Sequence, residues 1–170
     1  MTAPTRVDPP MIADEREMLD TWLDYHRETL ALKCAELNPE QLRERSAPPS
    51  TLSLLGLVRH MAEVERYWFQ HRLRGDEAAG VNLYCTDDNP DGDFDDVDTA
   101  DPAKAFDTWR RECTAARVAV AEAESLDVIG KGPRHKVSLR WIMVHMIEEY
   151  ARHNGHADLL RERIDGATGD

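Results

Sequence analysis

The sequence predicts an all-α protein, an up-and-down four-helix bundle, on three observations. Apolar residues recur at helical spacing over four long stretches. Prolines, glycines and capping residues bound those stretches. No convincing pair of strand-like segments is present, apart from the brief HKVSL at residues 135–139. Each amphipathic stripe has to bury against another, and an antiparallel bundle does this with mostly short connections.

The first helix spans about Ile12 to Leu37, with Met18, Leu19, Trp22, Leu23, Leu30 and Leu37 as its stripe. It ends at Asn38-Pro39, because the residue before a proline disfavours the α conformation. Residues 1–11 read as a flexible N-terminal arm. Pro39 to Arg45 forms a short helical turn, and Pro48-Pro49-Ser50 interrupts the chain before the second helix, Ser53 to Arg74. That helix carries Leu57, Val58, Met61, Val64 and Trp68 on one face, and Gly75 suits its stop. Residues 80–101, GVNLYCTDDNPDGDFDDVDTAD, are too polar for a buried strand and too turn-prone for a helix. They read as a long loop, of a length frequently functional in compact domains, and are expected near the site mouth. DTADP supplies a cap and a first-turn proline for the third helix, Pro102 to Ser125, through Phe106, Trp109, Val118 and Val120. Gly130, Gly132 and Pro133 lead into the fourth, Ser138 to Ile164.

A chain of 170 residues, 41% hydrophobic and 32% charged, suits one folded domain over residues 1–170. The formal net charge of −12, from 33 acidic and 21 basic residues, repels polyphosphates and excludes nucleic acid as a partner. No apolar run approaches the roughly 18 residues of a membrane span, and the N-terminus lacks the hydrophobic stretch of a secretory signal. The expectation is a cytoplasmic protein with no membrane partner. Cys34, Cys85 and Cys113 are odd in number and widely spaced, which supports neither a disulfide framework nor a thiolate metal site. Cys85, in the polar loop, reads as an ordinary reduced cysteine whose acidic neighbours raise its pKa.

The fourth helix carries HMIEEYARHNGHADLLRE at residues 145–162. At about 100° per residue, His145, Glu149, His153 and His156 fall within roughly 80° of arc. Ile142 and Leu160 share that arc, so the polar groups point toward the core, where a carboxylate needs a partner. In LVRHMAEVERYWF of the second helix, His60 lies about 40° from Val64 and 60° from Leu57, and also faces inward. His60, Glu149 and His153 together offer two imidazoles and one carboxylate, a set suited to a divalent first-row metal such as zinc with one coordination position left open. A salt bridge from Glu149 to Arg152 or to a third-helix arginine is the competing reading. His145 lies eight residues before His153, about 12 Å along the axis, too far to join the same metal, and reads as a core or ligand-supporting residue. His26, His71 and His135 form no comparable constellation, and His26 reads as a partly exposed polar residue. Trp22, Trp68, Trp109 and Trp141 read as core packing.

The segments SLLGLVRHMAEVERYWF and SLRWIMVHMIEEYARHNGHADLLRERIDG, with TLSLLGLVRH after a Pro-Pro turn, carry a resemblance covering nearly the whole chain. The sequence resembles the DinB-like superfamily of metal-binding four-helix bundles, and more narrowly an actinobacterial branch related to mycothiol-dependent transferases. The resemblance implies that a histidine at the place of His60 and two further ligands at one end of the bundle hold a divalent metal. It also implies chemistry with a low-molecular-weight thiol, because relatives act as transferases or isomerases using mycothiol, bacillithiol or glutathione. The commonest family pattern has His-x-x-x-His on the last helix followed by an Arg-Gly-Gln-like triplet. Here those positions read Glu149-x-x-x-His153 followed by Asn154, Gly155 and His156. Glutamate can ligate zinc, nickel or iron, although it lowers the charge of the site by one. His156 then stands as an alternative ligand, or as a group behind a ligand or facing substrate.

The expected function is a metal-dependent, mycothiol-type thiol S-transferase whose partners are a small-molecule thiol and an electrophile. The alternative of another class is a non-catalytic metal- or small-molecule-binding, stress-related protein. A purely structural helical protein would require the inward histidines and Glu149 to satisfy one another. Di-iron carboxylate chemistry is disfavoured because repeated Glu-x-x-His motifs are missing. A homodimer is implied by the resemblance alone.

Overall fold

A computed structural model describes residues 5–133 and 135–169. It is all-helical, with one isolated antiparallel bridge, Ile129 to Ser138, where HKVSL suggested a brief strand. Helix α1 runs over Glu15–Cys34, shorter at both ends than the hydrophobic pattern predicts. Asp14 accepts from the Glu17 backbone N–H and so takes the N-cap, leaving Met11 and Ile12 outside the helix and exposed. Of the expected arm, residues 1–4 lie outside the described residues, and Arg6 sets its guanidinium 4.7 Å from the centre of the Tyr25 ring. Helix α2, Pro39–Arg43, is the predicted short turn, closed by a reciprocal Asn38–Gln41 capping box.

Helix α3, Leu54–Glu65, starts where the Ser53 hydroxyl accepts from the Gly56 N–H. It continues without a break as a π-helical segment, Arg66–Arg74, and stops at Gly75, whose φ of 79° is left-handed. The predicted second helix is therefore present at its full length but with a change of pitch at Arg66. The acidic segment is not structureless: it holds a short helix α4, Gly92–Asp95, and a 3₁₀ turn, Ala78–Gly80, lies at its start. Helix α5 spans Pro102–Ala121 behind an Asp101 cap, ending four residues before the expected Ser125. Helix α6 spans Leu139–Asp165, opened by the Ser138 hydroxyl and closed by Gly166 at φ 81°.

Helix α1 packs chiefly on α6, and α3 chiefly on α5, with the π-helical segment also against α5. Leu23 and Leu30 of α1, Leu57, Met61 and Phe69 of the second long segment, Trp109 and Ala116 of α5, and Ile142, Met146 and Tyr150 of α6 are buried together. At the centre lies a polar cluster drawn from all four segments. Glu65 is fully buried and accepts from Arg27 Nε at 2.7 Å and Nη2 at 2.8 Å, and from the Tyr150 hydroxyl at 2.8 Å. Trp109 Nε1 donates to the same hydroxyl at 2.9 Å, and the Cys113 thiol donates to Glu65 at 3.5 Å. A buried charge of this kind is tolerated only when fully partnered, so the cluster fixes how the helices sit against one another.

Candidate metal centre

The register set by the core brings His60 of α3 across from Glu149 and His153 of α6. One ligand atom from each of these three residues lies within 4.8 Å of the other two. The His60 and His153 ring centres are 4.7 Å apart, and His153 Nε2 is 3.5 Å from Glu149 Oε2. Donors about 2.0–2.1 Å from a tetrahedral zinc stand roughly 3.4 Å apart, so the spacing along α6 suits one shared ion. The three side chains are between 12% and 25% exposed, sheltered but open to a small molecule.

The electrostatics favour ligation. Burial, reinforced by His60, His156 and Arg152 nearby, pulls the His153 pKa down to about 4, so the ring is neutral at pH 7 and has no proton to lose before binding a metal. His60 Nδ1 is 2.8 Å from Asp93 Oδ2, which occupies that nitrogen and leaves Nε2 available. His156 Nδ1 lies 3.4 Å from His153 Nδ1, so it stands against the His153 ring. Its place among the three clustered donors is taken by Glu149.

Among the described residues, Glu149 pairs with no arginine. Arg152 bonds Glu148 instead, and the two Glu149 oxygens face histidines: Oε1 toward His145 Nε2 and Oε2 toward His153 Nε2, each at 3.5 Å. His145 is thus nearer the site than its axial offset suggests, reaching it through Glu149. Its ring stacks on Trp141 at 4.9 Å and meets Trp68 edge-on at 4.7 Å. Trp141 and Trp22 are 48% and 40% exposed, so core packing describes Trp109 and not those two. His26 is half-buried against Asn154, with burial lowering its pKa. His71 faces the Asp76 carbonyl, and the His135 carbonyl accepts from Arg72, both away from the cluster.

The acidic segment supplies what the sequence reading missed. Asp93, 4% exposed, touches His60, and the Phe94 ring stacks on His60 at 5.2 Å and 29°. Periodicity along one helix cannot signal such a contact, because it joins the short α4 of the acidic segment to α3 across 33 residues. Cys85 lies close by, its pKa pushed up to about 11 by burial and by the charges of Asp93 and Glu63. Burial pushes Cys34 up to about 12 and Cys113 higher still. Burial thus holds all three thiols toward their protonated forms.

An all-α framework that brings two imidazoles and a carboxylate together on facing helices offers a donor set that could hold a metal ion. The sequence model of the Mycothiol-S-transferase family matches residues 18–166, and the chain belongs to that family, a DinB-like family related to mycothiol-dependent transferases. No curated protein matches the sequence. Among the described residues, no helix is long and apolar enough to cross a membrane.

Proposed function

We propose that this protein is a metal-dependent thiol S-transferase that joins mycothiol, or a closely similar small thiol, to an electrophile. The reading treats residues 1–170 as one cytoplasmic domain whose four long helical segments form a DinB-like bundle, working alone or as a homodimer. His60, Glu149 and His153 would hold a divalent metal, zinc by preference of the His/His/carboxylate set, with nickel or iron also compatible. A metal bound there would lower the pKa of an incoming thiol, making its thiolate available at neutral pH. Asp93 and His156 hold the far nitrogens of the two histidines, and the α3–α6 surface above them receives the substrates.

The observation that carries the reading is the clustering of His60, Glu149 and His153 in a chain whose family is named for this thiol. The three cysteine thiols are held toward their protonated forms, which favours a thiol that arrives as substrate. The test is conjugation of mycothiol to a panel of electrophiles by zinc-loaded protein, with Glu149→Gln alongside. The proposal expects turnover well above the uncatalysed rate, with a loss of at least 10-fold in the variant. No conjugation by metal-loaded wild type would overturn it, and a metal held by four protein ligands with no exchangeable position would instead favour a non-catalytic binding protein.

A further inference from the structure

The acidic segment reaches back onto α3 through one residue. We propose that Asp93 is a positioning residue that fixes the His60 ring and directs its Nε2 into the ligand cluster, an inference that rests on the metal-site reading of His60, Glu149 and His153. A carboxylate offers only acceptors, so at 2.8 Å from Asp93 Oδ2 the His60 Nδ1 must carry the proton. In a neutral imidazole that leaves the lone pair on Nε2, the nitrogen a metal would take. Phe94, the next residue along, covers one face of the ring. The loop thus sets both the tautomer and the orientation of a ligand on another element.

Asp93 is itself held firmly. Its backbone carbonyl accepts from Arg59 Nε at 2.9 Å, the Gly92 carbonyl accepts from Arg59 Nη2 at 2.8 Å, and its Oδ1 accepts from the Phe94 N–H at 3.0 Å. Arg59 is 8% exposed, and its guanidinium stacks 3.9 Å above the Tyr84 ring from the same loop. The packing beside it is close. A Cβ at Gly56 of α3 would lie 2.7 Å from the Phe94 ring, and a Cβ at Gly92 would lie 2.5 Å from the Tyr84 carbonyl oxygen. Helix α3 therefore carries adjacent features for this loop: a gap at Gly56, a cationic anchor at Arg59 and the positioned ring at His60.

If Asp93 only anchored the loop, removing its carboxylate would leave the His60 tautomer and the metal affinity alone. The experiment titrates cobalt(II) into metal-free wild type, Asp93→Asn and Asp93→Ala, following the visible absorption bands, with folding checked by circular dichroism. In parallel, long-range nitrogen–proton NMR at pH 8 reports which His60 nitrogen carries the proton. The expected result is a cobalt affinity lowered about 10- to 100-fold in Asp93→Ala. A smaller loss is expected in Asp93→Asn, whose side-chain carbonyl can still accept. The wild-type Nδ1–H signature should give way to Nε2–H in Asp93→Ala. Unchanged affinity and an unchanged tautomer in a folded variant would overturn the proposal, and Asp93→Asn decides the matter if Asp93→Ala does not fold. Failure of wild type to bind cobalt would count against the metal reading, and the NMR tautomer would still decide the role of Asp93.

Discussion

Arg27→Met removes the strongest partner of the most deeply buried charge in the protein. Glu65 is 0% exposed and Arg27 4% at their side chains, and two hydrogen bonds of 2.7 and 2.8 Å join them. After the substitution the carboxylate keeps the Tyr150 hydroxyl at 2.8 Å and the weak Cys113 thiol at 3.5 Å. Burial pushes the Tyr150 pKa well up, so the hydroxyl remains a donor, but one neutral donor cannot replace a guanidinium. Breaking a buried pair by removing one partner costs about 3–5 kcal/mol. At roughly 2–4 °C per kcal/mol for a chain of this size, Tm should fall by about 6–20 °C. Urea unfolding followed by circular dichroism and tryptophan fluorescence measures the loss directly. Arg27→Met combined with Glu65→Met should recover most of it, because the pair then leaves together. A loss below about 1 kcal/mol in the single variant would refute the argument that this cluster holds the helix register.

Three further outcomes follow from the structure. The His153 pKa is lowered from 6.5 to about 4, so the folded metal-free protein binds fewer protons than the unfolded chain between those values. Its stability should therefore be full above pH ~6.5 and decline as the pH falls toward 4, a slope that urea midpoints at several pH values would show and that His153→Gln should flatten. Ellman's reagent at pH 7 should leave Cys34 and Cys113 untouched in the native protein and modify Cys85 slowly, whereas all three thiols react in denaturant. Gly75→Ala should cost ~1–2 kcal/mol in denaturant unfolding, because φ is 79° there and the new Cβ would sit 3.0 Å from the Lys131 Cβ.

The long helices were legible in the sequence because their signals are local. Apolar spacing, with the cap and proline of DTADP, places three helix starts within a residue of where they occur. At α1 the apolar Ile12 extended the pattern past Asp14, and the cap set the true start. The pitch change at Arg66 was not legible, since it moves the register of Trp68 and its neighbours without altering the composition. Within the site, His60, Glu149 and His153 could be read from two helical faces. Asp93 could not, because its role depends on where a polar loop lands. The same reason hid the link from His145 to Glu149: an axial distance between backbones does not include the reach of two long side chains.

The most direct test of a metal centre on these two helices is elemental mass spectrometry on untagged wild type and His153→Ala purified side by side. About one zinc, nickel or iron per chain is expected in the wild type, with its loss from a variant that still folds. A folded wild type that holds no metal and takes none up on reloading would contradict it, leaving His60, Glu149 and His153 as polar residues that satisfy one another.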